Sequence, residues 1–158
     1  MNRNLIDDLI QKHEGRNPCV YKDTLGNLTI GVGWNLDDPT AVAVAHTFGL
    51  NLLALQNGTE CLSDEQIDDV MDYQVSKVIL WLQGAITGWE TLPDNAQAVC
   101  VDMGFNLGKP RFMGFHRFIG AIEAGDWPTA VNELVDSAWY EQVPNRAKDN
   151  IELLKEIA

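Results

Sequence analysis

The chain has few cysteines, few basic residues and no long uninterrupted run of apolar residues. Its 158 residues include three cysteines, and the 11 lysines and arginines are outnumbered by 23 aspartates and glutamates. A helix that spans a membrane needs about 20 predominantly apolar residues, and no stretch approaches that length. We therefore predict no stable membrane insertion. The length suits one domain with a hydrophobic core of its own.

The cysteines, Cys19, Cys61 and Cys100, form no CxxC pair and are odd in number. A disulfide framework in a small secreted chain uses an even set of cysteines. We therefore expect reduced thiols, with Cys19 acting as a small apolar packing residue. None of the histidines stands at ligand spacing from other metal donors, and we predict no metal site and no cofactor.

The formal net charge of −12 excludes several classes of partner. Binding to nucleic acid depends on lysines and arginines that displace counterions from phosphates, so we predict no nucleic-acid partner. Part of the acid lies in residues 60–72, which we interpret as the solvated start of a long helix. The N-terminal stretch carries acids among its apolar residues and does not resemble a secretory signal, which favours a cytoplasmic site of synthesis.

Apolar periodicity predicts a mainly helical α+β protein with one small β-hairpin near its N-terminus. The first helix carries Ile6 and Ile10 on its apolar face and ends at Gly15, and the hairpin turns at Gly26 and Asn27. Ser63 followed by Gln66 is a capping box that predicts the start of a long helix. Further helices are predicted at about residues 39–48, 94–107, 115–124, 127–136 and 145–157, with a loop over 49–62.

Two carboxylates stand out by their context. Glu14 lies at the predicted C-terminal end of the first helix, where the negative end of the helix dipole favours a protonated acid. Such an acid is what protonation of a glycosidic oxygen requires. Asp23 follows at the edge of the hairpin, and Thr29 lies on the returning strand. Taken singly, each is also what an ordinary helix end, turn or strand would contain.

These residues stand in a pattern that resembles the active-site signature of the phage-type lysozymes, glycoside hydrolase family 24. The N-terminal motifs are Glu14-Gly15-Arg16, Tyr21-x-Asp23, Gly26 and Thr29-Ile30-Gly31-x-Gly33. The resemblance continues at Phe105-Asn106-Leu107-Gly108, Gly114-Phe115, Trp127 and Trp139-Tyr140-x-Gln142-x-Pro144-Asn145-Arg146-Ala147. It covers nearly the whole chain, closely at both ends and loosely over residues 36–92.

The resemblance implies a role for each catalytic position. Glu14 is expected to be the general acid, Asp23 the carboxylate that supports a water, and Thr29 the hydroxyl that helps to hold that water. The family inverts at the anomeric carbon, which needs carboxyl groups about 6.5–9.5 Å apart. The implied reaction is hydrolysis of the β-1,4 bond between N-acetylmuramic acid and N-acetylglucosamine in bacterial peptidoglycan, leading to cell lysis.

The resemblance also implies substrate contacts, and the chain departs from the family at two positions. Phe105, Asn106, Gly33 and Asn35 are expected to bind the glycan. Arg146 resembles the arginine that pairs with the catalytic glutamate. The residues at which the chain departs are Asp102, where the family has asparagine, and Trp34, where it has histidine. Asp102 is expected either to compete for Arg146 or to add negative charge near the catalytic acid.

The fold implied by the resemblance is a single lysozyme-like domain over residues 1–158. A small β-lobe is expected at about 15–62 and a larger helical lobe at about 1–14 and 63–158, joined by the long helix. We expect a monomer that is stored in the cytoplasm of a host bacterium and acts on the wall after release through the inner membrane. Two alternatives stay open, a lytic transglycosylase and a catalytically inactive, glycan-binding lysozyme fold.

Overall fold

The computed structural model describes residues 1–158 and confirms a mainly helical α+β fold with a small sheet near the N-terminus. The chain begins with α1 (Arg3–Glu14) and continues through the strands β1 (Asn17–Lys22), β2 (Leu28–Gly31) and β3 (Trp34–Asn35). The helices that follow are α2 (Ala41–Thr47), α3 (Leu52–Gln56), α4 (Asp64–Ala85), α5 (Asp94–Phe112), α6 (His116–Ala124), α7 (Trp127–Val135), α8 (Ala138–Gln142) and α9 (Pro144–Lys155). A short 3-10 turn at Trp89–Thr91 precedes α5.

The chain divides into two compact units. The first, which we call the helical unit, comprises residues 1–9 and 77–158; the second, the β-unit, comprises residues 10–76. The boundaries between the units fall within α1 and α4, so each of these helices contributes residues to both. No helix has both the length and the apolar character that crossing a bilayer requires.

The β-unit is built on an antiparallel sheet in the order β1-β2-β3. Tyr21 pairs with Thr29, and Thr29 pairs in turn with Asn35. Because directly opposed residues project to the same side of a sheet, these three side chains share one face. Ile30 and Trp34 are paired on the other face and are buried in the core. The sheet therefore presents a polar face whose opposite side is anchored by apolar packing.

Helix α4 begins as its capping box predicts. The Ser63 hydroxyl accepts from the amide of Gln66, and the Gln66 side chain accepts in return from the amide of Ser63. Arg16 stabilises the same helix start, since its guanidinium lies 2.7 Å from the Asp68 carboxylate and 3.2 Å from that of Asp64. These carboxylates are otherwise exposed, which agrees with a solvated acidic face.

The core of the helical unit is centred on α5, where the residues from Ala96 to Gly104 are all buried. A methyl group on Gly104 would lie 2.9 Å from the Trp81 ring and 3.0 Å from Val78, so glycine allows α4 and α5 to approach closely. Within the unit, the edges and faces of Trp81, Phe112 and Phe118 meet in T-shaped contacts. Aromatic packing of this kind contributes beyond the area it buries.

The expectation that all three cysteines are reduced is wrong. Cys19 in β1 and Cys61 before α4 form a disulfide, with their Cα atoms 4.5 Å apart. The two segments are adjacent because the amide of Leu62 donates to the carbonyl of Pro18 at 2.7 Å. Cys100, buried in α5, is the unpaired cysteine. Cys19 is also exposed rather than a packing residue. The three cysteines are therefore one disulfide pair and one buried free cysteine.

Four short elements were missed, the 3-10 turn at Trp89–Thr91 among them, and one helix is longer than predicted. The predicted loop over 49–62 contains α3, whose first turn is capped by Asn51, and Ser137 caps α8 in the same way. Strand β3 has only two residues, too few to show alternation. Helix α5 continues past its predicted end at 107 to Phe112, with a kink at Gly108, where φ is 71°.

The replacement Cys19→Ser removes the disulfide, and we expect it to lower the free energy of unfolding by about 2–4 kcal/mol. The reason is that a link across a sequence separation of 42 residues restricts the unfolded chain. Urea denaturation without reductant measures the change. A thiol reductant should lower the wild-type value to that of the variant and leave the variant unaltered. A wild-type value that reductant leaves unaltered would contradict the pairing.

Candidate active site

Glu14 is the last residue of α1, and its carboxyl group lies directly against the backbone of Gly33. The chain leaves the helix at Gly15, whose φ of 76° is the left-handed conformation typical of a helix end. A Cβ atom at Gly33 would lie 2.8 Å from Oε2 of Glu14 and 3.0 Å from its Cδ. Gly33 also has a φ of 66°. Both the space and the backbone therefore require glycine here.

Asp23 is held by donors from the turn that joins β1 to β2. Its Oδ1 accepts from the amides of Leu25, at 2.9 Å, and Asn27, at 2.8 Å, and the Asn27 side chain donates to Oδ2 at 3.2 Å. These hydrogen bonds, the Asn27 amide foremost, hold the pKa of Asp23 below its usual value against a smaller opposing effect of desolvation. Asp23 is therefore ionised at neutral pH.

Thr29 completes this group from the central strand. Only 5% of Thr29 is exposed, and its hydroxyl donates to the carbonyl of Asn27 at 3.2 Å. Asn27 therefore binds both Asp23 and Thr29 and fixes their relative positions. The sequence analysis treated Asn27 only as a turn residue, and the glycine-asparagine pair was the one signal for it. Asn35, the partner of Thr29 in β3, shares the polar face and accepts from the amide of Asp37.

Tyr21 also lies on this face; the sequence analysis quoted it within a motif but gave it no role. Burial raises its pKa, as do the nearby charges of Glu14 and, to a smaller extent, Asp23. A hydrogen bond from the side chain of Asn17 acts in the opposite direction. Both carboxylates thus lie close enough to Tyr21 to influence the same phenol. The β-unit brings together Glu14, Asp23, Thr29, Gly33 and Asn35, with Tyr21 among them.

The other predicted site residues belong to the helical unit. Phe105 is half-buried on α5, and the exposed Asn106 next to it accepts from the indole of the buried Trp139 at 2.8 Å. This bond fixes the Asn106 side chain. Arg146 on α9 and Asp102 on α5 are buried, with 6% and 0% of their side chains exposed.

Asp102 binds Arg146 through both of its carboxylate oxygens. Nε of Arg146 donates to Oδ2 at 3.0 Å, and Nη2 donates to Oδ1 at 2.8 Å. Asn150 adds a third donor, with its Nδ2 2.8 Å from Oδ2 of Asp102. A buried charge needs this degree of pairing to be tolerated. The residue that departs from the family pattern therefore binds the arginine directly.

The fold is mainly helical, with a small antiparallel sheet near the N-terminus whose turn carries Asp23 and whose central strand carries Thr29. The phage lysozyme family matches residues 11–150, and the chain belongs to this family. The protein is accordingly a lysozyme-like peptidoglycan hydrolase.

Individual relatives extend over most of the chain. The chain is 27% identical over 154 residues to Probable T4-type lysozyme 2 of Dictyostelium discoideum, and the aligned region covers 90% of this chain and 88% of that protein. Probable T4-type lysozyme 1 of the same organism is 21% identical over 158 residues, or 95% and 93% of the two chains. The Pre-baseplate central spike protein Gp5 of Enterobacteria phage T4 is 25% identical over 89% of this chain but only 26% of its own length.

We expect Gly33→Ala to lower activity on peptidoglycan by more than about tenfold, because the added methyl group must displace the Glu14 carboxyl. It should also destabilise the protein by about 1 kcal/mol or more through backbone strain at positive φ. The control is Gly49→Ala, whose φ is 64° and whose methyl group meets nothing within 4 Å. It should share the strain and keep the activity. Equal activities would contradict the close contact.

The titration of Asp23 gives a second prediction. Since its pKa is lowered in the folded protein, ionised Asp23 stabilises the fold above the unfolded-state pKa. This stabilisation is lost as the pH falls through the lower folded-state pKa. Asn27→Ala removes one donor and should move the titration of Asp23, followed by carboxyl NMR, upward. The control Asn57→Ala alters a different turn and should leave it unmoved. An Asp23 that titrates at the ordinary value would contradict the geometry.

Proposed function

We propose that this protein is an N-acetylmuramidase that hydrolyses the β-1,4 bond between N-acetylmuramic acid and N-acetylglucosamine with inversion. The observation that supports this most directly is the grouping of Glu14, Asp23 and Thr29 in the β-unit, with Tyr21 influenced by both carboxylates. Two carboxyl groups, one acting as general acid and one as general base, are what a single-displacement hydrolysis of a glycoside requires.

In this proposal Glu14 is the general acid that protonates the oxygen of the leaving sugar. Its carboxyl is carried by a helix end and lies against Gly33, so it has a defined position rather than that of a free surface side chain. A rigid support of this kind favours proton transfer, which needs the donor within hydrogen-bond distance of the leaving oxygen.

Asp23 and Thr29 would position the attacking water. Asp23 is ionised, because turn amides donate to it, and so it can accept a hydrogen bond from water. The Thr29 hydroxyl is fixed through Asn27 and offers a second contact. Water that attacks from the face opposite the leaving group gives inversion, whereas an aspartate that attacks directly would give retention.

Substrate binding by Asn35 and Gly33 in the β-unit, and by Phe105 and Asn106 in the helical unit, is part of the same proposal. The fixed amide of Asn106 and the half-buried ring of Phe105 are the kinds of group that bind sugars. For Arg146 and Asp102 we propose a supporting role, because Asp102 accepts hydrogen bonds from both Arg146 and Asn150.

The biological role we propose is lysis of bacteria, by a monomer that reaches the wall from the host cytoplasm once a separate factor has opened the inner membrane. The disulfide bears on the place of action, because disulfides form and persist in oxidising compartments such as the periplasm. The bond would then close when the enzyme leaves the reducing cytoplasm.

The test is digestion of purified peptidoglycan, with the products analysed by mass spectrometry and by NMR of the first anomer released. The wild type should produce reducing N-acetylmuramic acid ends of inverted configuration. Glu14→Gln should lose at least about a hundredfold in rate, because an amide cannot supply the proton. Glu65→Gln, an equal change on the exposed face of α4, should be fully active. Anhydro ends would instead identify a lytic transglycosylase, and absence of products an inactive glycan-binding fold.

A further inference from the structure

We propose that Tyr21 contacts the substrate, with its phenolic hydrogen donating to an oxygen of the glycan at the site formed by Glu14, Asp23 and Thr29. The inference rests on the proposed function, since it names a further binding group for the same site. It concerns a side chain to which neither the resemblance nor the family match gives a role.

The first step in the argument is position. Tyr21 stands directly opposite Thr29 in the sheet, two residues before Asp23, and so it projects from the same face as Thr29 and Asn35. It is half-buried, and part of the side chain reaches the surface of that face. Glu14, at the end of α1, is close enough for its charge to raise the pKa of the phenol.

The second step is hydrogen bonding. The hydroxyl of Tyr21 carries one hydrogen that it can donate and an oxygen that can accept, and the Asn17 side chain lies near enough to lower its pKa. A tyrosine hydroxyl on this face can therefore donate its hydrogen to an oxygen of a bound glycan.

The third step is the state of the phenol. Burial and the neighbouring carboxylates keep Tyr21 protonated well beyond neutral pH, so the donor persists wherever the enzyme works. A glycan presents acceptors of the matching kind, namely ring and hydroxyl oxygens and the carbonyl oxygens of N-acetyl groups. An aromatic ring with a polar tip also suits a sugar, whose C–H face is apolar and whose edge is polar.

The experiment compares Tyr21→Phe with Tyr140→Phe, the same change on α8. Peptide-free glycan strands serve as substrate for kcat and KM, and unfolding temperature is measured alongside. We expect Tyr21→Phe to lower kcat/KM by about three- to tenfold, as loss of one neutral hydrogen bond implies. Its unfolding temperature should stay close to that of the wild type. Tyr140→Phe should leave kcat/KM unchanged.

A binding arm separates this inference from the proposed chemistry. In a Glu14→Gln background, which is expected to bind without turnover, adding Tyr21→Phe should weaken affinity for the same glycan strands by a similar factor. If Tyr21→Phe matches Tyr140→Phe in both kcat/KM and affinity, the contact is refuted while hydrolysis by the wild type stands. If the wild type releases no reducing ends, the proposed hydrolysis fails, and the affinity difference still decides the role of Tyr21.

Discussion

The contact between the Glu14 carboxyl and the backbone of Gly33 is the constraint on which the arrangement of the β-unit depends. An acid at the end of α1 can lie this close to the sheet only where no side chain intervenes, and a Cβ atom at Gly33 would be 2.8 Å from the carboxyl oxygen. Gly15, which ends the helix, and Gly33, which precedes β3, both adopt positive φ. Two backbone conformations that favour glycine thus bring a helix end and a strand together.

Asp23 is held in position by the five-residue turn to which it belongs. Its donors are backbone amides and the side chain of Asn27, so the carboxylate is oriented by the chain that carries it. The carbonyl of Asn27 also accepts a hydrogen bond from the Thr29 hydroxyl and so holds Thr29 in place. The local turn thereby couples two of the proposed catalytic groups without any contact from a distant part of the sequence. Such local coupling explains why a short motif identifies the site.

The sequence predicted the features that depend on neighbouring residues. The end of α1 at Gly15, the capping box of Ser63 and Gln66, and the end of α6 at Gly125 follow from spacing and residue type alone. What it missed depends on contacts that are remote in sequence or on elements too short to be periodic. β3 has two residues and is defined by pairing with β2. Tyr21 acquires its surroundings only when the sheet forms and α1 ends beside it.

The disulfide illustrates the same limit and also bears on function. Whether Cys19 and Cys61 meet depends on the bond between Leu62 and Pro18, which no count of cysteines reveals. Asp23 is oriented by the Asn27 turn, and the Glu14 carboxyl lies against Gly33. The bond adds stability where an oxidising environment closes it. Stability is thus gained where the proposed enzyme would meet its substrate.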